Sequence, residues 1–441
     1  MSELSRRGFF GLGAGAAALA MAGCSDFTAS TSSSGASSGS SGGSLVFRWW
    51  GGTSRNEAYQ SALKVFTKKT GIKVTAQYSG YNGYFDKLNT EFAGGTPPDV
   101  FQMDTALTST YAAKGVLTDL STYIPGTIQL STLFPALRGA GVVKGVNYGV
   151  ASGSGYAPVL YNETVLNKLK IALPENSWTW DDFSTITNEV AKAWGSGKYG
   201  ANDASGDDSG ALQPWLRQRG KDLYTSSGEL GFDATDLGDW WNYWAGLRKT
   251  GACVPADLVA NYGNADSTNP FVAGSAALTT GWGLAQIAPL MTATLGEIIV
   301  PRGANGKTGQ ALNGGVLLVI PTKSSNPTGA AKLIDFFLTD KDAIKIMGTQ
   351  RGLPPSSLAE TELLPTLSAS AKLDVTYGDY VNQQVAADAL ADAPSAPPGY
   401  GDVKTALGNV SSAVAFGKQS VSAGVSSFFS QAKTILAQAA A

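Results

Sequence analysis

The chain has 441 residues, 43% of them hydrophobic and 15% charged, with 32 basic against 34 acidic side chains, no histidine and two cysteines. Without histidine, Ser-His-Asp and Cys-His catalysis and the usual His/Cys zinc sites are excluded. The near-neutral charge also argues against a nucleic-acid partner, because phosphate binding needs a concentrated positive field.

At the start of the chain, Ser5-Arg6-Arg7-Gly8-Phe9-Phe10 precedes an uncharged stretch of Gly, Ala, Leu and Met that runs to Gly23. A charged region followed by a short apolar one is an export signal, and paired arginines before phenylalanines resemble a twin-arginine (Tat) leader. The stretch is too short and too rich in Gly and Ala for a membrane span, which needs about 20 predominantly apolar residues. Met21-Ala22-Gly23-Cys24 resembles the lipobox of bacterial lipoproteins, with Met where Leu is usual. Residues 1–23 are therefore expected to be a cleaved signal peptide, with Cys24 carrying lipid such as palmitate. A chance cysteine behind an ordinary signal, or an uncleaved signal, is the plainer alternative. Residues 24–44 are almost entirely Ser, Gly, Ala and Thr beyond the cysteine, a tether with a root-mean-square reach of about 25 Å. Removing Arg6, Arg7 and Glu3 from the 32 basic and 34 acidic residues leaves 30 and 33, a formal charge of −3.

Leu45 to Trp50 reads as a strand stopped by Gly51-Gly52. Tyr59, Ala62, Leu63 and Phe66 then recur at i, i+3, i+4 and i+7, one apolar helical face that Gly71 ends. Ile72, Val74, Ala76 and Tyr78 alternate as a half-buried strand. Phe85, Leu88 and Phe92 mark a second helix, and Pro97-Pro98 leads into a third strand over Asp99 to Met103. This β-α-β-α-β order implies a parallel sheet with right-handed crossovers, in which ligands bind beyond the carboxyl ends of the strands. Trp50 to Arg55, Gly80 to Tyr84 and Asp104 to Ala106 fall there.

The middle of the chain is richer in helix. One helix starts at Thr179-Trp180-Asp181-Asp182 and carries Phe183, Ile186, Val190 and Trp194 on its face. Another runs from about Asp236 to Thr250, where Trp240, Trp241 and Trp244 share helical spacing with Leu237 and Leu247 and read as core. Cys253 has no disulfide partner beyond Cys24 and reads as a small buried hydrophobe. Asn202, Asp203, Asp207 and Asp208 lack the terminal glutamate of a calcium loop, so they read as a solvated acidic loop. Gly315 to Ile320 reads as a buried strand, and Asn326-Pro327 starts a helix with Ala330, Leu333, Ile334, Phe337 and Leu338 on its apolar face.

Together, Trp49-Trp50-Gly51-Gly52 with Arg55, Gly80-Tyr81-Asn82-Gly83-Tyr84, Thr96-Pro97-Pro98-Asp99-Val100 and Gln102-Met103-Asp104 carry a resemblance. Tyr161-Asn162, Trp178 to Phe183, Ala276-Ala277-Leu278 before Gly281-Trp282, and Asn313-Gly314-Gly315 extend it. From about Leu45 to Pro355 the chain resembles the extracellular solute-binding proteins of sugar ABC importers, the maltose-binding-like family 1 group. The resemblance implies an α/β, two-lobe periplasmic-binding-protein-like fold with a ligand cleft between discontinuous lobes. Residues 45–151 and 310–350 would form the first lobe, and residues 152–309 and 351–441 the second. It further implies a monomer without cofactor or metal, anchored outside the cell membrane by Cys24, which delivers a sugar or oligosaccharide to ABC permease subunits without altering it.

A pyranose presents apolar C–H faces, which aromatic rings cover, and a rim of hydroxyls, which carboxylates, amides and arginines satisfy. Asp104 ends a strand at the cleft edge and falls on a family ligand position; its plainer role is to cap the following helix. Trp282, between two glycines and without periodic partners, matches a stacking aromatic of the family; its plainer role is loop packing. Arg55 would bind hydroxyls or else pair with Glu57. Trp50, Thr53, Tyr81, Asn82, Ser152, Ser154, Asn313 and Arg351 complete the expected ligand site, each with a turn role as alternative. Two other functions compete: a receptor of the same fold for a non-sugar solute, and a carbohydrate-active enzyme. Asp181-Asp182 would be the enzyme's acid pair, but neighbours at a helix start point apart and serve as cap and dipole partner.

Overall fold

The structure is a computed structural model that describes residues 43–81, 83–262, 268–281, 283–311, 315–390, 393–394 and 396–440. The expected leader, the lipidation site Cys24, and the ligand candidates Asn82, Trp282 and Asn313 lie outside the described residues.

Strand β1 (Ser44–Trp50) turns Leu45, Phe47 and Trp49 to one face, and all three are fully buried. Helix α1 (Thr53–Thr70) covers them with Tyr59, Ala62, Leu63 and Phe66 and stops at Gly71, whose φ of 74° suits glycine. Strand β2 (Lys73–Ser79) pairs in parallel along the whole of β1, helix α2 (Tyr84–Ala93) crosses back, and β3 (Val100–Asp104) pairs in parallel on the other side of β1. Helix α3 (Thr105–Ala113) follows β3 directly. A small hairpin of β4 (Val142–Val143) and β5 (Val146–Asn147) leads to β6 (Gly149–Ala151), after which the chain leaves this lobe.

The second lobe holds β7 (Val159–Asn162), α4 (Glu163–Leu169), α5 (Trp180–Trp194), β8 (Tyr199–Ala201), α6 (Gln213–Arg217), α7 (Ala234–Thr250), α8 (Ala256–Tyr262), β9 (Ala276–Thr280), α9 (Leu284–Ile287) and β10 (Leu295–Ile298). Its strands are ordered β10-β7-β9-β8. The chain then returns as β11 (Val316–Val319), which slots between β3 and β6 and completes a first sheet ordered β2-β1-β3-β11-β6. Only β1, β2 and β3 obey the parallel rule there; β11 runs antiparallel to β3 because it arrives from the other lobe rather than over a crossover helix. In the second sheet only β8 and β9 are parallel.

Helices α10 (Pro327–Thr339), α11 (Lys341–Met347) and α12 (Ser357–Leu363) follow. Asn326 caps α10 by accepting from the Gly329 N–H at 3.0 Å. Ile344, Ala359 and Leu363 pack together, so α12 stays with the first lobe. The sequence expectation had assigned residues 351–363 to the second lobe. Helices α13 (Ala369–Asp388), α14 (Tyr400–Ala415) and α15 (Val421–Ala440) join the second lobe, where Val403, Leu407, Val410, Phe428 and Ala432 share one core with Trp240, Trp241 and Trp244. Trp240 and Trp241 both donate to the Ser205 carbonyl, at 3.1 and 3.0 Å, which satisfies two buried indole N–H groups. Cys253 is buried in the same core. Among the described residues no helix is long and apolar enough to cross a membrane.

Three crossings join the lobes, and they are tied to one another. The Ser154 N–H donates to the Leu353 carbonyl at 3.0 Å and the Leu353 N–H to the Ser154 carbonyl at 2.8 Å. The Ser152 N–H donates to Val316 O at 2.9 Å, and Gln310 Nε2 reaches Ala157 O at 3.0 Å. The strands approach so closely that a Cβ on Gly153 would lie 2.0 Å from the Arg351 carbonyl oxygen. Glycine is required there by contact with backbone, which cannot give way as a side chain can.

Candidate functional site

The carboxyl ends of β1, β2 and β3 form one wall of the cleft. Trp50 ends β1 half-buried, with Tyr81 and Tyr84 set edgewise to its ring at 5.5 and 5.1 Å, and its N–H donates to Gln102 Oε1 at 3.0 Å. Asp104 ends β3 and caps α3: Oδ1 accepts from the Ala106 N–H at 2.9 Å, while Oδ2 accepts from the Tyr81 hydroxyl at 2.9 Å. Burial first, and then the charge of Asp104, pushes the Tyr81 phenol up, so it stays a donor. Asp104 is half-buried and does serve as a cap, with its second oxygen held by Tyr81. Thr53 is exposed at the first position of α1.

Arg55 lies over Gly51 and donates to the Trp50 carbonyl at 3.2 Å, without an ion pair to Glu57. Ser152 and Ser154 are buried at the crossings, where their hydroxyls donate to carbonyls: Ser152 to Val316 at 3.0 Å, Ser154 to Leu353 and Pro354 at 3.4 Å. Both are occupied with holding the crossings together. Arg351 is buried beside Tyr59 and stacks over Phe337, 5.2 Å from the ring centroid.

The opposite wall contains residues that sequence reasoning did not select. Asp207 and Asp208, expected to be solvated, are half-buried and buried respectively. Asp208 accepts from the Tyr400 hydroxyl at 2.6 Å and pairs with Lys404 Nζ at 3.0 Å. Asp207 Oδ1 accepts from the Gly210 N–H at 3.0 Å, and a Cβ on Gly281 would sit 3.3 Å from Asp207 Oδ2. Burial, with the neighbouring Asp208 adding to it, pushes the Asp207 carboxyl up to about 6. Among the described residues no group of three or more His, Cys, Asp or Glu side chains is arranged to hold a metal.

The two walls meet. The Ser109 hydroxyl on α3 donates to the Ala396 carbonyl, and a Cβ on Gly401 would lie 3.8 Å from Leu107. Lys404 feels Asp208, Asp207 and also Asp104, and Tyr400 feels Asp208 and Asp104. Carboxylates from both lobes thus act on one lysine, which pairs directly with Asp208. Tyr400 and Lys404 sit on successive turns of α14, and that spacing was the one sequence signal that could have flagged them.

A second acid pair supports this wall from behind. Asp374 on α13 accepts from the N–H groups of Leu284 and Ala285 at 2.8 and 2.7 Å, fixing the chain just after Gly283. Glu297 on β10 lies beside it, and burial, with the charge of Asp374 adding to it, pushes the Glu297 carboxyl up to about 9.

A profile of the bacterial extracellular solute-binding protein family matches residues 61–375, most of the chain. The chain belongs to that family. As a solute-binding protein it is similar to an extracellular solute-binding protein family 1 from Alicyclobacillus acidocaldarius, 29% identical, with a TM-score of 0.69 over 89% of this chain and 98% of that one. Its fold is shared with an oligogalacturonide-binding protein from Yersinia enterocolitica, 20% identical, TM-score 0.77, covering 90% of this chain and 99% of that one. An erythritol/L-threitol-binding protein of Mycolicibacterium smegmatis is 28% identical over 41% of this chain and 40% of the relative. The match thus spans about two-fifths of that curated relative's length. The two-lobe α/β architecture expected from the sequence is the architecture of these structures.

Proposed function

We propose that the protein is the extracytoplasmic substrate-binding subunit of an ABC importer, capturing a sugar or oligosaccharide in the interlobe cleft and presenting it to permease subunits. The reading is supported most by the meeting of polar side chains from both lobes, Asp104 on one and Asp207, Asp208 and Lys404 on the other, around one cleft. Trp50 and Tyr81 offer ring surface on the first wall, and Trp282 is assigned the stacking role on the second. A ligand that touches both lobes favours the closed form, whereas one that touches a single lobe has no differential affinity for it. The binding protein acts as a monomer, held outside the membrane by lipid on Cys24.

Binding proceeds without turnover in this reading. Asp104 and Asp207 both act on Lys404, and a carboxyl near pH 6 is what a glycosidase acid needs. Asp207 is instead matched to hydroxyl recognition, with Oδ1 committed to Gly210 and Oδ2 beside Gly281.

A thermal-shift panel of mono- and oligosaccharides, polyols and oligopeptides tests the reading, since bound solute stabilises by RT ln(1 + [L]/Kd). A carbohydrate or polyol hit that chromatography recovers unchanged is expected. A peptide-only response would move the protein to another solute class, and protein-dependent hydrolysis would make it an enzyme. Cys24→Ala should release the folded protein from the membrane fraction; retention would refute lipid anchoring.

A further inference from the structure

Among the described residues, the buried and nearly buried arginines hold carboxylates, with one exception. Arg48 holds Glu91, Arg217 holds Asp222 and Arg248 holds Asp203. Arg351 is 8% exposed, yet among the described residues no carboxylate pairs with it; the neutral Tyr59 hydroxyl is the side chain that interacts with its guanidinium, and Nη1 has no hydrogen-bond partner. Its Nη2 makes a single long contact to the Phe337 carbonyl at 3.5 Å. Taking a guanidinium out of water without a counter-charge is costly, and proteins normally avoid it.

The surroundings add to the positive charge rather than cancel it. Arg55 is near enough to repel Arg351, and among the described residues it too has no ion pair. Between them lies the buried Tyr59 hydroxyl, which already accepts from Gln102 Nε2 at 2.7 Å and stays protonated because burial raises its pKa. Arg55 stands in the first turn of α1, an 18-residue helix with no capping side chain at Gly52 and no acidic residue in its first turn. Arg55 thus stands at the positive end of that helix dipole, beside the carboxyl end of β1, and Arg351 lies one turn further along α1, at Tyr59.

We propose that Arg55, Arg351 and the amino end of α1 form an oxyanion subsite at the hinge end of the cleft, and that the ligand is an acidic sugar. The planar fork of a guanidinium matches a carboxylate in two parallel hydrogen bonds, so a uronic acid is the preferred source of the charge, with a sugar phosphate as the other carrier of the same chemistry. The inference rests on the sugar-binding reading for the rest of the ligand. The subsite itself needs only the anion.

Calorimetric titration of the protein with galacturonate against galactose, glucuronate against glucose, glucose 6-phosphate, and sulfate as a bare anion separates the two. An acidic sugar binding at least tenfold tighter than its neutral partner is expected, with that advantage lost in Arg55→Gln and Arg351→Gln and partly kept in Arg55→Lys. Preference for glucose 6-phosphate over both uronates, with the same arginine dependence, would support the oxyanion subsite and assign it phosphate. Neutral sugars binding as well as acidic ones would overturn the subsite and leave sugar binding intact. If no carbohydrate binds, sulfate stabilisation that depends on Arg55 would keep the subsite and remove the sugar. Its absence would overturn both. Should Arg351→Gln fail to fold, the half-buried Arg55 carries the test alone.

Discussion

Replacing Asp207 by Asn should stabilise the unliganded protein at pH 7.5. The native state raises this carboxyl from 3.8 to about 6, chiefly by burial. Between those values the native state holds a proton that the unfolded chain has released, so stability falls as pH rises through the interval and stays reduced above it. At about 1.36 kcal/mol per unit the full cost would be about 3 kcal/mol. Solvent screening of a half-buried side chain brings it to about 1–2 kcal/mol. Asn keeps an oxygen for the Gly210 N–H, so the cap survives. With about 2.1 cal/mol/K per residue over some 400 residues, the melting temperature should rise by about 1–2 °C. Calorimetry of both proteins at pH 7.5 and at about pH 2.5 checks this, because the gain must vanish well below the unfolded value of 3.8, where the carboxyl is protonated in both states. Equal melting temperatures at pH 7.5, or the same gain at both pH values, would refute the assignment. A carboxylate that costs stability at the cleft and also strengthens solute binding is the signature of a functional group.

Three further outcomes follow from the packing. Gly153→Ala drives a Cβ into the Arg351 carbonyl and breaks the paired Ser154–Leu353 bonds, so urea denaturation should show a loss of about 2–4 kcal/mol. Trp244→Ala empties a fully buried site in the second core and should cost about 3–5 kcal/mol, read as a lower denaturation midpoint with the slope unchanged. Glu297, raised from 4.5 to about 9, keeps its proton in the native state while the unfolded chain loses it. Glu297→Gln should therefore be increasingly stabilising relative to the parent from pH 5 to 9, by at most about 1.4 kcal/mol per pH unit, and a pH-independent difference would contradict this.

Periodic apolar patterns carried the first lobe into view: Leu45, Phe47 and Trp49 on one strand face and Tyr59, Ala62, Leu63 and Phe66 on one helix face are the buried sets. The tryptophans of α7 were legible as core for the same reason. Strand direction was not legible, because β11 reads locally as any buried strand and its antiparallel course depends on where the chain has been. Asp104 was found because a strand end marks the cleft edge. Asp207, Asp208, Tyr400 and Lys404 were missed because their meaning comes from a contact between positions about 200 residues apart, which no local pattern encodes. Ser152 and Ser154 were chosen for their polarity, and the crossings use that polarity for their own carbonyls.

The central claim is that one solute bridges the lobes and holds them closed. Small-angle scattering of the parent protein, with and without a saturating amount of the carbohydrate giving the largest thermal shift, tests it most directly. A fall in the radius of gyration is predicted, with Asp104→Ala and Asp207→Ala each needing more than tenfold higher ligand concentration to reach it. An unchanged radius at saturation, or parent-like titration of both variants, would contradict the account.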